Sequence, residues 1–155
     1  MSQGNFDAAI EVAKKGISLN PDSPFSCQAL ARAYLGKGSN AEALAAAQRS
    51  VELSKPLDTL LVTLGKVYIK TGKRTEANAI AKELEEKYPK NEATALSVVW
   101  LYVLLGDNEK ALVWLEKAFA AKDFDIPAFT RDEETKSLRE DPRYKAMLKR
   151  LGLPE

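Results

Sequence analysis

The residues of this chain that could do chemistry are carboxylates standing next to one another. Glu85 and Glu86 form a pair, and Asp132, Glu133 and Glu134 form a run of three. Paired carboxylates are one means of general acid and base catalysis. Both sets, however, fall within amphipathic helical patterns, where such residues usually form a solvated face. An enzyme with an unrecognised carboxylate site is therefore the least favoured of three functions that we consider for this chain.

Other common catalytic groups are missing from the sequence. Histidine is absent from the 155 residues, and Cys27 is the single cysteine, so a histidine-dependent triad, a histidine-containing zinc site and an internal disulfide are excluded. The segment Gly36-Lys37-Gly38-Ser39 lacks the preceding strand and the spacing of a phosphate-binding loop. Cys27 falls inside a helical pattern, which predicts a buried, inert thiol. We expect no enzyme activity, no cofactor and no metal.

The charge balance gives no general attraction to nucleic acid or membranes. The 23 basic and 22 acidic residues leave a formal net charge of +1. A basic cluster around Lys66, Lys70, Lys73 and Arg74 is interleaved with acidic residues, which is typical of a solvated surface. The sequence contains no apolar stretch long enough for a bilayer and no recognisable signal peptide. These features predict a cytoplasmic protein without nucleic-acid or membrane partners.

The elements that must position these residues follow a 34-residue repeat. Glycine recurs at positions 4, 38, 72 and 106, and alanine at 9, 43, 77 and 111. The same register contains Tyr34, Tyr68 and Tyr102, and also Leu30, Leu64 and Val98. Between them, apolar residues recur with a helical period and are separated by glycine and proline. This pattern predicts an array of antiparallel helices, each unit burying its apolar face against its neighbours.

Three segments of the chain resemble tetratricopeptide repeats. The residues that carry the resemblance are Leu64-Gly65, Tyr68, Gly72, Ala77 and Pro89 in one unit, Leu30-Ala31, Tyr34, Gly38, Ala43 and Ala47 in the preceding unit, and Val98-Val99, Tyr102, Gly106, Ala111 and Ala118 in the following unit. The resemblance covers residues 4–123 and implies an all-α fold. It also implies an α-solenoid of antiparallel helix pairs, wound as a right-handed superhelix, in which these residues are scaffold.

The register divides the chain, taken as one domain of residues 1–155, into repeats. The predicted segments are a half repeat at 4–21, full repeats at 24–57, 58–91 and 92–125, and a C-terminal capping segment at 126–155. Asp141 followed by Pro142 predicts a helix start, and Tyr144, Met147, Leu148 and Leu151 share one face of that helix. The run from Leu138 to Tyr144 resembles the tail of arrays in some bacterial multidomain signalling and transcription proteins. We therefore expect the C-terminal, regulatory module of a larger bacterial protein.

The resemblance further implies a binding groove, because in this family the first helix of each pair lines the concave side. Fixed offsets from the tyrosines give the inward residues: Phe25, Gln28, Arg32 and Leu35, then Val62, Lys66, Ile69 and Lys70, then Leu96, Trp100, Val103 and Leu104. Trp100 is the expected anchor, and the cations are expected to select acidic partners. The family's carboxylate clamp is not expected, since Gln28, Val62 and Leu96 stand where some of its polar groups belong.

These observations predict a protein-interaction scaffold that binds a partner peptide or protein with apolar and acidic side chains. The alternative function is self-association, through either the N-terminal half repeat or the groove. A second interpretation of Trp100, Val103 and Leu104 also stays open, in which the C-terminal segment covers them.

Overall fold

The fold is all-α over the residues that the structure describes. The computed structural model describes residues 3–55, 57–122, 129, 133–150 and 152, with side chains from Asn5 onward. The regular elements in these ranges are α-helices and short 3-10 helices. The chain forms two compact units, Met1–Ile80 and Ala81–Glu155. The all-α class predicted from the repeat is confirmed for this part of the chain.

The first unit consists of consecutive helices joined by short turns. They are α1 (Gln3–Leu19), α2 (Pro24–Lys37), α3 (Asn40–Glu52), α4 (Asp58–Lys70) and the first half of α5 (Arg74–Lys87). Helix α1 packs against α2, α2 against α3, and α3 against α4, while α2 also contacts α4. Short connections between packed helices make sequential neighbours antiparallel. The unit is therefore built from helix pairs, as the 34-residue period predicts.

The glycine ladder marks the turn inside each pair. Gly38, Gly72 and Gly106 adopt φ values of +84°, +79° and +77°, the left-handed region that glycine enters without steric cost. The next residue in each turn donates its backbone N–H to the carbonyl of the ladder tyrosine, at 2.9, 2.8 and 2.9 Å. Its own carbonyl accepts the N–H of the ladder alanine. One turn geometry thus recurs at the period of the sequence.

Helix α1 is held on α2 by a close approach at Gly36. A Cβ atom added there would collide with the ring of Phe6, so the missing side chain makes room for that ring. Ile10 and Ala13, on the same side of α1, are buried. At the edge of the contact, Lys37 Nζ donates to Asp7 Oδ1 at 2.6 Å, and this bond raises the pKa of Lys37.

The second unit begins in the latter half of α5. It continues through a 3-10 helix (Tyr88–Lys90), α6 (Ala95–Leu105), α7 (Asn108–Ala121), a second 3-10 helix (Glu133–Thr135), α8 (Lys136–Arg139) and α9 (Pro142–Arg150). Helix α6 packs against α7 and also contacts the second 3-10 helix. Its sequence is apolar around nearly the whole circumference, and nine of its 11 residues are buried. Such a helix must be covered on all sides.

The capping helix forms where the sequence predicts it. Helix α9 begins at Pro142, and Asp141 Oδ1 accepts the backbone N–H of Arg143 at 2.8 Å. Tyr144, Met147 and Leu148 are buried as predicted, whereas Leu151 lies outside the described residues. Of the carboxylate run at 132–134, Glu133 and Glu134 lie in the second 3-10 helix, and Asp132 lies outside the described residues.

An ion pair with two hydrogen bonds joins α9 to α7. Arg143 donates to both carboxylate oxygens of Glu109, at 2.9 and 2.7 Å, and to Asp141. These hydrogen bonds lower the pKa values of Glu109 and Asp141 and raise that of Arg143. The bidentate geometry fixes the orientation of α9 even though Arg143 and Glu109 are exposed.

We predict that Gly38→Ala destabilises the protein by about 1–2 kcal/mol, the cost of a left-handed backbone for an alanine. No atom lies within 4 Å of a Cβ at this position, so the loss would come from the backbone alone. Urea unfolding measures it. The matched control is Gly38→Asn, which tolerates this φ better and should lose less. If the wild type and the Ala and Asn variants were equally stable, Gly38 would not need the left-handed backbone conformation.

We predict that Gly36→Ala loosens α1, although alanine normally stabilises a helix by about 0.5–1 kcal/mol relative to glycine. The added methyl group must displace the Phe6 ring. Amide exchange should become faster in α1 and stay unchanged in α7. Adding Phe6→Leu, which removes part of the ring, should reduce the effect of Gly36→Ala. Unchanged exchange in the single variant would argue against this contact.

Candidate partner-binding surface

The α2 positions of the predicted groove form one stripe. Phe25, Gln28, Arg32 and Leu35 recur at helical spacing, so they share a face of the helix. The start of α2 fixes this face, because the Ser23 hydroxyl accepts the N–H of Ser26 and Pro24 occupies the first turn. Phe25 is 55 % exposed, Arg32 is exposed and Leu35 is half-buried. An aromatic ring and a guanidinium group are therefore presented to solvent together.

The α4 positions form a second stripe beside the first. Val62, Lys66 and Ile69 are half-buried, and Lys70, in the last turn, is exposed. Gln28 joins the two helices, since its Nε2 donates to the Thr59 carbonyl at 3.0 Å and to Thr63 Oγ1 at 2.9 Å. Gln28 therefore positions α2 against α4, and its amide is already engaged. We call the remaining seven residues the α2–α4 surface: Phe25, Arg32, Leu35, Val62, Lys66, Ile69 and Lys70.

The α2–α4 surface carries three cations around an apolar floor. Arg32 and Lys70 are exposed on neighbouring helices, and Lys66 lies half-buried on the α4 stripe. Lys73, counted with this basic cluster in the sequence, instead extends over the ring of Tyr68, 5.9 Å from its centroid. The surface can therefore accept carboxylates beside apolar side chains, because cations and half-buried aliphatic groups alternate on it.

The third-repeat positions have a different environment. Leu96 and Val103, both predicted contact residues, are 4 % and 5 % exposed, so little of either side chain is accessible to a partner. Trp100 and Leu104 are half-buried, and the Trp100 ring meets Phe129 edge-on, with centroids 4.9 Å apart. The second 3-10 helix also contacts α6. Phe129 and the second 3-10 helix lie outside the 34-residue repeat. They therefore cover part of a face of α6 that the repeat register predicts to be open.

Glu85 belongs to a hydrogen-bond cluster, in contrast to the solvated face expected from the sequence. Its Oε1 accepts the Tyr102 hydroxyl and Trp114 Nε1, each at 2.9 Å. The Trp114 ring is flanked edge-on by Tyr88 and on its face by Lys117 Nζ, 3.7 Å from the centroid. Burial, and then the bond to Glu85, raise the pKa of Tyr102 well above its ordinary value. The sequence offered no signal for this cluster, because helical periodicity does not specify which donors meet a carboxylate.

Cys27 and possible metal-binding clusters are the remaining candidates for chemistry. Cys27 is buried as predicted, and burial raises the pKa of its thiol, which disfavours the reactive thiolate. Across the ranges that the structure describes, no three carboxylate or cysteine side chains are grouped so that they could hold a metal ion. No helix within those ranges has the length and apolar character needed to cross a membrane.

Comparison with known protein families identifies the class. Models described as tetratricopeptide repeat match residues 1–23, 26–56 and 60–91. The chain belongs to the tetratricopeptide repeat family, as its ladder residues predicted. Repeats of this family generally mediate protein–protein interactions and are typically non-catalytic scaffolds. No curated protein matches the chain significantly.

We predict that stability falls above about pH 10, the ordinary pKa of tyrosine. The folded protein binds the Tyr102 proton more tightly than the unfolded chain, so unfolding releases it once the pH exceeds the unfolded-state pKa. The loss from one such group is about 1.4 kcal/mol per pH unit between the two pKa values. Urea unfolding from pH 8 to 11 measures the slope.

Two tyrosine variants provide the comparison. Tyr102→Phe should give a shallower decline, although Tyr144, whose pKa burial also raises, keeps part of it. Tyr34→Phe, at the same repeat position but half-buried, is the control for removing a tyrosine hydroxyl from the ladder. A Tyr102→Phe slope identical to the wild-type slope would refute the role of this hydroxyl.

Proposed function

We infer that this chain is a protein-interaction module that binds a partner peptide, carrying apolar and acidic side chains, on the α2–α4 surface. The observation that supports this most directly is the placement of exposed Phe25 and Arg32 beside α4, through the bonds of Gln28 to Thr59 and Thr63. Two helices that are fixed to each other present a preformed surface. Binding to such a surface costs less conformational entropy than binding to a mobile site, which would have to become ordered.

The apolar part of the surface favours anchoring by a large side chain. Aromatic residues are enriched at the centres of interfaces, where a few residues contribute most of the binding energy. Phe25 is more than half exposed, and Leu35, Val62 and Ile69 are half-buried at other positions of the same two helices. A leucine or aromatic residue of the partner would be stabilised here by burying its own apolar surface together with the apolar surface that these side chains still expose.

The cationic part favours acidic partners. Arg32 and Lys70 stand on neighbouring helices at solvent-accessible positions. Charges of this kind act mainly on association rate and on partner selection, and salt screens them over about 10 Å at 0.1 M. Affinity for the partner should therefore decrease with ionic strength, while the apolar contribution persists.

The repeat register also supports a proposal for the wider organisation of the chain. We propose one array comprising the half repeat 4–21, the full repeats 24–57, 58–91 and 92–125, and the capping segment 126–155. Within it we assign Leu96, Val103 and Trp100 to support of the second unit, because Leu96 and Val103 are buried and the Trp100 ring contacts Phe129. We further propose that the array serves as the regulatory module of a larger, cytoplasmic bacterial protein.

The binding surface can be tested by selecting phage-displayed random dodecapeptides on the 155-residue chain. We predict enrichment of peptides that combine apolar residues with Asp or Glu. Selection on the Arg32→Glu/Lys70→Glu variant should lose the acidic residues. Phe25→Ala should weaken a selected peptide at every salt concentration, since its contribution is apolar. Arg32→Ala should matter less as salt rises.

A charge-matched control separates this surface from general electrostatics. Lys82→Glu/Lys149→Glu changes the net charge by the same amount at two exposed lysines that belong to the second unit and are not part of the α2–α4 surface, and its selected peptides should resemble those of the wild type. If the two double variants behave alike, or if Phe25→Ala binds as the wild type does, the α2–α4 surface is not the binding site.

A further inference from the structure

One face of α1 is exposed at positions that the other repeats bury. The ladder alanines Ala43, Ala77 and Ala111 are fully buried, but Ala9, at the same repeat position, is exposed. Three residues further along, Ala46, Ile80 and Trp114 are also buried, whereas Val12 is 72 % exposed. The comparison shows that α1 presents to solvent a face that its equivalents keep inside.

The exposed face is continuous and apolar along the helix. Ala8, Val12 and Leu19 are all exposed and lie on one side, since they are separated by about one and two helical turns. Leu19 is 79 % exposed. Ile10 and Ala13 are buried on a different side of α1, which packs against α2. The small residues Ala8 and Ala9 would allow another helix to approach closely.

Charges along this face favour a second α1 in the antiparallel direction. Glu11 and Lys15 are both exposed and lie one turn apart on the same flank of the Val12 stripe. A two-fold axis near residue 13 would place Glu11 of one copy opposite Lys15 of the other, and the converse pair would form at the same time. The same axis would place Leu19 close to Ala8 of the partner, a large residue against a small one. Antiparallel helices also oppose their dipoles favourably.

We propose that two copies of this chain associate through α1, in an isologous antiparallel contact centred on Val12 and flanked by two Glu11–Lys15 pairs. A contact made by one helix from each copy lies at the small end of interface sizes, below about 1,200 Å² in total. The dimer is therefore reversible, and its population rises with protein concentration. This surface is separate from the α2–α4 surface, so peptide binding and self-association are independent functions.

Sedimentation velocity on the 155-residue chain over a range of concentrations is the first measurement. The weight-average mass should rise from monomer towards dimer. Val12→Asp should raise the dissociation constant by more than about tenfold, because the position occurs twice in an isologous contact and loses apolar burial in each copy. The matched control is Val113→Asp, which places the same charge at an exposed position of α7 and should leave the dissociation constant unchanged.

Charge reversal then tests the antiparallel pairing itself. Glu11→Lys and Lys15→Glu should each weaken self-association, since each places like charges opposite one another. A mixture of these two variants should form a heterodimer, because one copy then offers two cations to two anions. The double variant Glu11→Lys/Lys15→Glu should self-associate as the wild type does. Both positions are exposed, so thermal unfolding should be little changed.

Three results would overturn the proposal. A chain that stays monomeric at all concentrations does not use this face for self-association. A dimer that Val12→Asp leaves intact is formed by another surface. A mixture of the two charge variants without heterodimer formation rules out the antiparallel pairing. Peptide selection on the α2–α4 surface is unaffected by any of these outcomes.

Discussion

The structure depends on a constraint of size: a helix of 11–17 residues is at best marginally stable alone in water, so each helix must bury one face against another. In this chain the burial is arranged by repetition. A glycine in the left-handed conformation reverses the chain, and the following residue bonds to both the ladder tyrosine and the ladder alanine. Small residues at the packed positions, such as Ala43, then let neighbouring backbones come close.

Polar bonds specify how the packed helices are placed, while apolar contacts supply most of the stability. Gln28 joins α2 to α4 by two hydrogen bonds, one to the Thr59 carbonyl and one to Thr63 Oγ1, and no apolar residue could form either of them. In the second unit, Glu85 accepts from Tyr102 and Trp114 through one oxygen, and Arg143 clamps Glu109 with two bonds. Such bonds lose much of their value if the geometry changes, so they favour one arrangement over other compact ones.

Two helices depart from the regular pattern, for opposite reasons. Helix α6 is apolar on nearly all sides and is covered accordingly, with Phe129 and the second 3-10 helix contacting it. Helix α1 keeps the apolar character of its repeat position at Val12, but this residue is exposed. The repeat register alone therefore does not determine which apolar faces are covered.

The sequence by itself determined the class of fold, the turns and most of the scaffold. Glycine at a fixed spacing specifies a left-handed turn, and alanine in register specifies close helix contact, because few other residue types satisfy these local requirements. Asp141 and Pro142 likewise specified the start of α9. Each of these outcomes depends on residues within one or two helical turns, so a single sequence contains the information.

Only the tertiary structure decided which positions of the predicted groove reach solvent. Phe25 and Arg32 do, whereas Leu96 and Val103 are buried. Trp100 occupies the same register as Arg32, yet its ring contacts Phe129. Glu85 looked like part of a solvated face and instead bonds to two aromatic side chains. These outcomes depend on segments distant in sequence or outside the repeat, and periodicity contains no information about such contacts.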